Sequence, residues 1–349
     1  MPPMTRRKPF HFAGQTIEGG NRRTVDVPVS VLSDHTPISL KVHVIHGKRP
    51  GPTVFVSAAV HGDEVMGVEI VRRLLQSDLL GRLRGTLMVV PIVNAFGFHN
   101  RSRYLPDRRD LNRSFPGSAG GSLASRLADI FLEKVVKRCD LGIDLHSAAI
   151  HRTNLPQVRV SPGNARTMDL AKVFGAPVIL TSSLREGSLR AEAKAAGVDV
   201  LLYEAGEGMR FDEMAARAGV AGILRVLRHL DMLPARGIAR ARVTPLLCRS
   251  SKWLRAPAGG LLRTFRGDGD VVEEGDVIAS VSDPFGEDEV ELIAPSDGII
   301  IGRAVMPVVN EGDAVFHLAE VRHDDPARAV EGLAAQLENS PLFDEDEII

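Results

Sequence analysis

Short apolar runs that end abruptly in polar residues constrain this chain most. Residues 53–60 (TVFVSAAV) are nearly continuous in apolar side chains, the pattern of a strand buried on both faces. Residues 86–93 (TLMVVPIV), 141–145 and 198–203 share that character, and 177–181 is a shorter version. Between them the spacing becomes helical. Over 63–80, Met66, Ile70 and Leu74 share one face with Val71 and Leu75 beside them, and Asp63 is placed to cap the first free N–H groups. Residues 123–138, 164–174, 186–196 and 211–232 also read as helices. Strands alternating with helices predict an α/β three-layer sandwich with a mostly parallel mixed sheet. Ahead of it, Val25-Val27-Val29-Val31 and Leu40-Val42-Val44 alternate as a strand pair, and the first 20 residues are expected to be loosely structured.

The pattern changes near Pro234 to short apolar runs and glycine turns with an internal repeat. Ala256-Pro257-Ala258-Gly259-Gly260-Leu261 is echoed by Ala294-Pro295-Ser296-Asp297-Gly298-Ile299, and Val272-Glu273-Glu274-Gly275-Asp276 by Val309-Asn310-Glu311-Gly312-Asp313. Two similar all-β halves resemble the lipoyl/biotinyl carrier fold, a flattened barrel-sandwich. Such carriers present a modified lysine at a hairpin tip, but the corresponding stretch here, Asp283 to Glu289, has none, so a carrier role is not expected. The predicted organisation is an N-terminal extension (1–20), a catalytic α/β domain (21–240), a β-rich C-terminal domain (241–323) and an acidic tail (324–349) with one candidate helix.

Composition narrows the partners. The 349 residues suit about two domains. With 43 Lys+Arg against 44 Asp+Glu there is no basic excess for nucleic acid. The 2 cysteines, Cys139 and Cys248, make no disulfide framework, which fits a reducing, cytoplasmic setting. The basic start is followed by no apolar run, so no secretory leader is expected. No apolar run of about 18 residues predicts a membrane span. A homo-oligomer is compatible with the sequence and not fixed by it.

Ligand sites in open α/β sheets form at the carboxyl ends of strands. There this sequence places His61-Gly62-Asp63-Glu64, then Asn94 and an arginine-rich loop, then His146, then Glu204-Ala205-Gly206. Two imidazoles and a carboxylate can hold zinc with one position open to water, and a second carboxylate can serve as base. The spacing His-x-x-Glu alone is weak among 11 histidines, and His317-Leu318-Ala319-Glu320 repeats it with no partner histidine, a structural occurrence. His35, His43 and His46 are expected at the surface or in a hairpin. His11, His229 and His323 lie in polar contexts, and His99 and His151 fall nearer the expected site. Arg108 and Arg109 read as a solvated face.

The motifs Ala59-Val60-His61-Gly62-Asp63-Glu64, Asp110-Leu111-Asn112-Arg113-Ser114-Phe115, Asp144-Leu145-His146-Ser147 and Glu204-Ala205-Gly206, in this order, resemble the succinylglutamate desuccinylase/aspartoacylase family of zinc carboxypeptidase-like hydrolases. The resemblance implies His61, Glu64 and His146 as ligands of one Zn2+ per chain and Glu204 as catalytic glutamate. It also implies Arg103 polarising the scissile carbonyl, and Asn112 and Arg113 holding a substrate carboxylate. Asp144 stands where it can orient a ligand histidine or serve as a structural hydrogen bonder. Two departures bear on substrate choice: Ala95 follows Asn94 where the family usually has proline, and the 103–110 segment is longer than in animal aspartoacylases. The implied reaction is removal of an acyl group from a small, carboxylate-bearing N-acyl amino acid. A peptide-cleaving metallocarboxypeptidase and a non-catalytic metal-binding protein are the alternatives.

Overall fold

The structure is a computed structural model describing residues 7–241 and 244–321. Its first part runs β1 (Phe10–Phe12), β2 (Gln15–Ile17), β3 (Asn21–Val31), β4 (Pro37–His46), β5 (Arg49–Ala58), α1 (Met66–Gln76), β6 (Arg84–Val90), α2 (Ala95–Asn100), α3 (Leu123–Lys134), β7 (Leu141–His146), β8 (Arg152–Val160), α4 (Ala165–Phe174), β9 (Val178–Thr181), α5 (Leu189–Ala195), β10 (Asp199–Glu207) and α6 (Glu213–His229). The strand order across the sheet is β3-β4-β6-β5-β7-β10-β8. Strands β6, β5, β7 and β10 are parallel, so their carboxyl ends share one edge.

Burial on both faces explains the unbroken apolar runs. Successive side chains of a strand point to opposite faces. On β5, Val54, Val56 and Ala58 join a core with Ile70, Leu74, Phe174, Ile223 and Leu227, while Phe55 joins a second core with Leu127, Phe131 and Leu189. Phe55 meets Phe131 edge-on at 5.9 Å. Gly142 on the neighbouring strand makes room for that ring: a Cβ there would sit 2.1 Å from the Phe55 ring.

Four points need correction. Residues 10–17 are not loose, because β1 and β2 pair antiparallel and bury Phe12 and Ile17 in the second core. The sheet is mixed but not mostly parallel beyond its middle, because β4 meets β6, and β8 meets β10, antiparallel. Strand β8 (RTNLPQVRV) was not anticipated, since its polar residues hide the apolar signal. The helix expected from 63 begins at Met66 with Val65 at its N-cap and no side-chain cap, so Asp63 does not cap it.

The C-terminal region is antiparallel and β-rich: β11 (Leu246–Cys248), β12 (Ser251–Arg255), β13 (Gly260–Thr264), β14 (Val271–Val272), β15 (Val277–Ser282), β16 (Glu289–Ile293), β17 (Gly298–Ala304), β18 (Val308–Val309) and β19 (Ala314–Ala319). The sequence repeat becomes reciprocal bonding. Ala256 N donates to Asp313 O (2.8 Å) and Gly312 N to Ala256 O (2.9 Å); Ala294 N donates to Asp276 O (2.8 Å) and Gly275 N to Ala294 O (2.9 Å). Each half thus completes the other's turn. This region also extends the large sheet, with β17 antiparallel to β8 and β11 parallel to β9. The hairpin after β15 carries the exposed Phe285 and no lysine. Cys139 and Cys248 are free and buried. Among the described residues no helix is long and apolar enough to cross a membrane. The acidic tail expected over 324–349 lies outside the described residues.

Candidate active site

His61 leaves the end of β5 in a tight turn in which Glu64 N donates to His61 O (3.2 Å). Gly62 is required there by close approach, since a Cβ would lie 1.9 Å from Gly97 C of α2. This turn, rather than a turn of helix, brings Glu64 back toward His61. It leaves Asp63 buried, with its carbonyl accepting from Met209 N (2.8 Å) and its Oδ1 without a partner among the described residues. Burial, then the nearby Glu64, push the Asp63 carboxyl up from its ordinary value.

Glu64 lies between two imidazoles. His61 Nδ1 is 2.6 Å from Glu64 Oε1, and His146 Nδ1, at the end of β7, is 2.7 Å from Glu64 Oε2. One ligand atom from each of the three residues falls within 4.8 Å of the others, and all three side chains are buried. The far nitrogens are also held: His61 Nε2 by Asp110 Oδ1 at 3.1 Å, and His146 Nε2 by Asp144 Oδ2 at 2.8 Å. Ser57 Oγ donates to the other Asp144 oxygen at 2.7 Å. With the Nε2 proton donated to a carboxylate, a neutral ring would turn its Nδ1 lone pair inward, the outer support typical of metal-bound histidine. The donor set therefore fits a divalent ion with two nitrogen ligands and one carboxylate.

Without an ion, the same atoms are tuned by one another. Burial opposes charge on both imidazoles. Glu64 and the bond to Asp110 overcome it for His61 and raise its pKa; Asp144 and Glu64 raise that of His146 further. Burial disfavours ionised Glu64, but His61 and His146 outweigh it and hold the carboxylate well below its usual range.

A cavity of about 210 Å³ gathers every residue predicted for the site: His61, Glu64, His146, Glu204, Arg103, Asn112 and Arg113. Parallel register sets Glu204 of β10 opposite His146 of β7. Arg103 Nη2 donates to Asp110 Oδ2 (2.9 Å), and its Nη1 reaches Glu64 Oε1 (3.3 Å). Asn112 Oδ1 accepts from Leu189 N at 2.9 Å, which fixes its amide, and the Arg113 guanidinium donates to Asn112 O. His99 and His151 do not line this cavity, and Arg108 and Arg109 are exposed as expected. His46, expected near the surface, is buried with Nδ1 against Thr86 Oγ1 (2.9 Å) and Nε2 against Lys8 O (3.0 Å). His317 stays structural: it stacks on Trp253 at 4.5 Å and pairs with Ser251 Oγ (2.9 Å), and burial takes its pKa down to about 3. A larger cavity of about 940 Å³, lined by Arg22, Arg49, Arg84 and others, contains none of the predicted residues.

The structure adds residues that the sequence did not single out. Arg152, Asn154, Arg159, Arg185, Arg190 and Trp253 line the same cavity. Asn154 Nδ2 donates to Glu204 Oε2 at 2.9 Å, and Arg159 Nη1 lies 3.2 Å from Glu204 Oε1. Arg159 Nε and Arg190 Nη1 are buried without a partner among the described residues. Burial, and then Arg159, take the Arg190 pKa down to about 10. The Arg152 guanidinium sits 5.2 Å from the centre of the Trp253 ring, on β12 of the C-terminal region. An arginine in a polar strand such as β8 carries no local signal of its destination, which only the strand register reveals.

The succinylglutamate desuccinylase/aspartoacylase catalytic domain model matches residues 50–230. The N-alpha-acetyl-L-2,4-diaminobutyric acid deacetylase of Halomonas elongata is 28% identical over 285 residues, 78% of this chain and 83% of that protein. The succinylglutamate desuccinylase of Pseudomonas aeruginosa is 29% identical over 134 residues, 36% of this chain and 39% of its own length. A crystal structure of a succinylglutamate desuccinylase/aspartoacylase from Rhodobacter sphaeroides superimposes with a TM-score of 0.77 at 25% identity, covering 87% of this chain and 96% of that one. The matched stretch carries β5, β7 and β10 and the turns that end them, and the chain belongs to the succinylglutamate desuccinylase/aspartoacylase family.

Proposed function

We propose that this protein is a zinc-dependent amidohydrolase that removes an acyl group from a small N-acyl amino acid bearing a carboxylate. The observation that carries this is the buried His61–Glu64–His146 cluster, each imidazole backed by its own carboxylate, in a cavity shared with Glu204. His61, Glu64 and His146 would hold one zinc ion, which would supply Lewis acidity and make water acidic enough to attack near neutral pH. Glu204 accepts a proton from the attacking water and returns it to the leaving amine. Arg103 sets its guanidinium toward negative charge that develops on the scissile carbonyl oxygen, where preorganised donors count most. Arg113 binds the substrate carboxylate, and Asn112 adds its amide, so that the scissile bond is held in place. Arg190, with a buried N–H lacking a partner among the described residues, offers a further contact for an anion.

The deacylase relatives support this reading, and so does cavity size. A space of about 210 Å³ is below the usual range for drug-sized ligands and suits a small amide better than a peptide. Cores on opposite faces of the sheet support the three-layer sandwich, and the reciprocal turns support a barrel-sandwich in the C-terminal region. We take 21–240 as the catalytic unit and 241–323 as its β-rich companion. The test is metal analysis of the purified protein coupled to a hydrolysis screen over N-acetyl and N-succinyl amino acids and short peptides. One zinc per chain with release of acetate or succinate is expected. Absence of bound metal, or cleavage of peptides alone, would overturn the proposal.

A further inference from the structure

We infer that strand β8 positions Glu204 through Asn154 and Arg159, and that β17 of the C-terminal region holds Asn154 in place. This rests on Glu204 acting as the base. Both oxygens of that carboxylate are engaged from the same neighbouring strand, Oε2 by Asn154 Nδ2 (2.9 Å) and Oε1 by Arg159 Nη1 (3.2 Å). The register explains how one strand reaches both. Arg159 stands opposite Leu202, diagonal to Glu204, and a shift between Glu204 and Gly206 sets Asn154 opposite Gly206. A glutamate with several rotatable bonds loses orientational freedom when an amide donor holds one oxygen and an ion-paired guanidinium lies against the other.

Asn154 is itself confined from the far side. It faces Gly302 of β17 in antiparallel register, and a Cβ at Gly302 would lie 2.5 Å from Asn154 Oδ1 and 2.9 Å from Thr153 O. Glycine at 302 therefore lets β17 close on β8 while leaving the amide aimed at Glu204. Asn154 and Arg159 are positioning residues, and Gly302 extends that role into the C-terminal region.

The test measures kcat and KM for Arg159→Met, Arg159→Lys, Asn154→Ala and Gly302→Ala, alone and combined with Glu204→Gln. Metal content and circular dichroism monitor folding. Arg159→Met and Asn154→Ala should lower kcat by up to about 100-fold, the scale of a misplaced reacting group, with KM little changed. Gly302→Ala should show a smaller loss of the same kind. Arg159→Lys should retain more activity than Arg159→Met, and added guanidinium should restore part of the loss in Arg159→Met. In the Glu204→Gln background, none of these changes should lower the residual rate further. An unchanged kcat, a loss confined to KM, or a loss that persists without Glu204 would overturn the positioning role. If Arg159→Met does not fold, Arg159→Lys and Gly302→Ala decide on the same criteria. Full activity of Glu204→Gln would instead remove Glu204 as base, and the inference would fall with that assignment.

Discussion

The two walls of the cavity differ in how their polar atoms are satisfied. On the side of His61, Glu64 and His146, both nitrogens of each ring have a partner, and the outer carboxylates are engaged as well. On the side of Arg159 and Arg190, buried guanidinium N–H groups have no partner among the described residues. A buried polar group without a partner costs about 1–3 kcal/mol, more if charged. The first wall is arranged in advance by the protein. The second keeps donors to spare, with six arginines lining the cavity against Glu64, Asp144 and Glu204.

The largest effect expected from breaking the first wall is His146→Ala. Metal content should fall and hydrolysis with it; unchanged stoichiometry by metal analysis would take His146 out of the ligand set. Next comes Glu204→Gln, which should retain the ion and lose about 10²–10⁴-fold in kcat, the range of general acid–base catalysis. Retained turnover in a direct hydrolysis assay would show that the base lies elsewhere. Asp144→Asn should weaken metal affinity by about 10–100-fold, measured by competition with a chelator. On the second wall, Arg190→Met should raise KM for carboxylate substrates by about tenfold or more while leaving metal content intact. A neutral amide substrate is the control, and equal losses for both substrates would argue against an anion contact.

The smallest effect concerns pH. Both imidazoles have raised pKa values in the metal-free arrangement, so protons compete with the ion for the same Nδ1 atoms. Metal affinity should rise with pH and weaken on acidification, with protons released on uptake, which calorimetry in two buffers would detect. The metal-free fold should behave in the opposite sense. Its charged imidazoles clamp Glu64 fully below their unfolded value of about 6.5, and that stabilisation is lost as pH rises through the raised folded values. Thermal melting of chelated protein across this window checks the sign.

Much of the first wall was legible from sequence. Strands buried on both faces advertise themselves as unbroken apolar runs, and the residue after each run falls at the carboxyl edge. His61, His146 and Glu204 are legible in this way. Asp110 fell within a recognised motif, yet its bond to His61 Nε2 was not foreseen, because it crosses 49 positions of chain. Strand β8 was missed because a strand flanked by two others can carry polar residues that bond sideways into a site. Asp63 was misplaced as a helix cap because a tight turn packed on Gly97 looks, in sequence, like the start of a helix.

The sequence by itself determined the alternation of buried strands and helices, the duplicated C-terminal turns and the order of the chemically active side chains. These are local patterns of period and spacing, which one-dimensional data carry. Only the tertiary structure decided that β8 runs antiparallel beside β10, that β17 joins it, and that Asn154 and Arg159 grip Glu204 while Arg190 lines the same cavity. Strand pairing is a choice among distant segments, made by shape and hydrogen bonding across the whole sheet, and no short stretch of sequence records it.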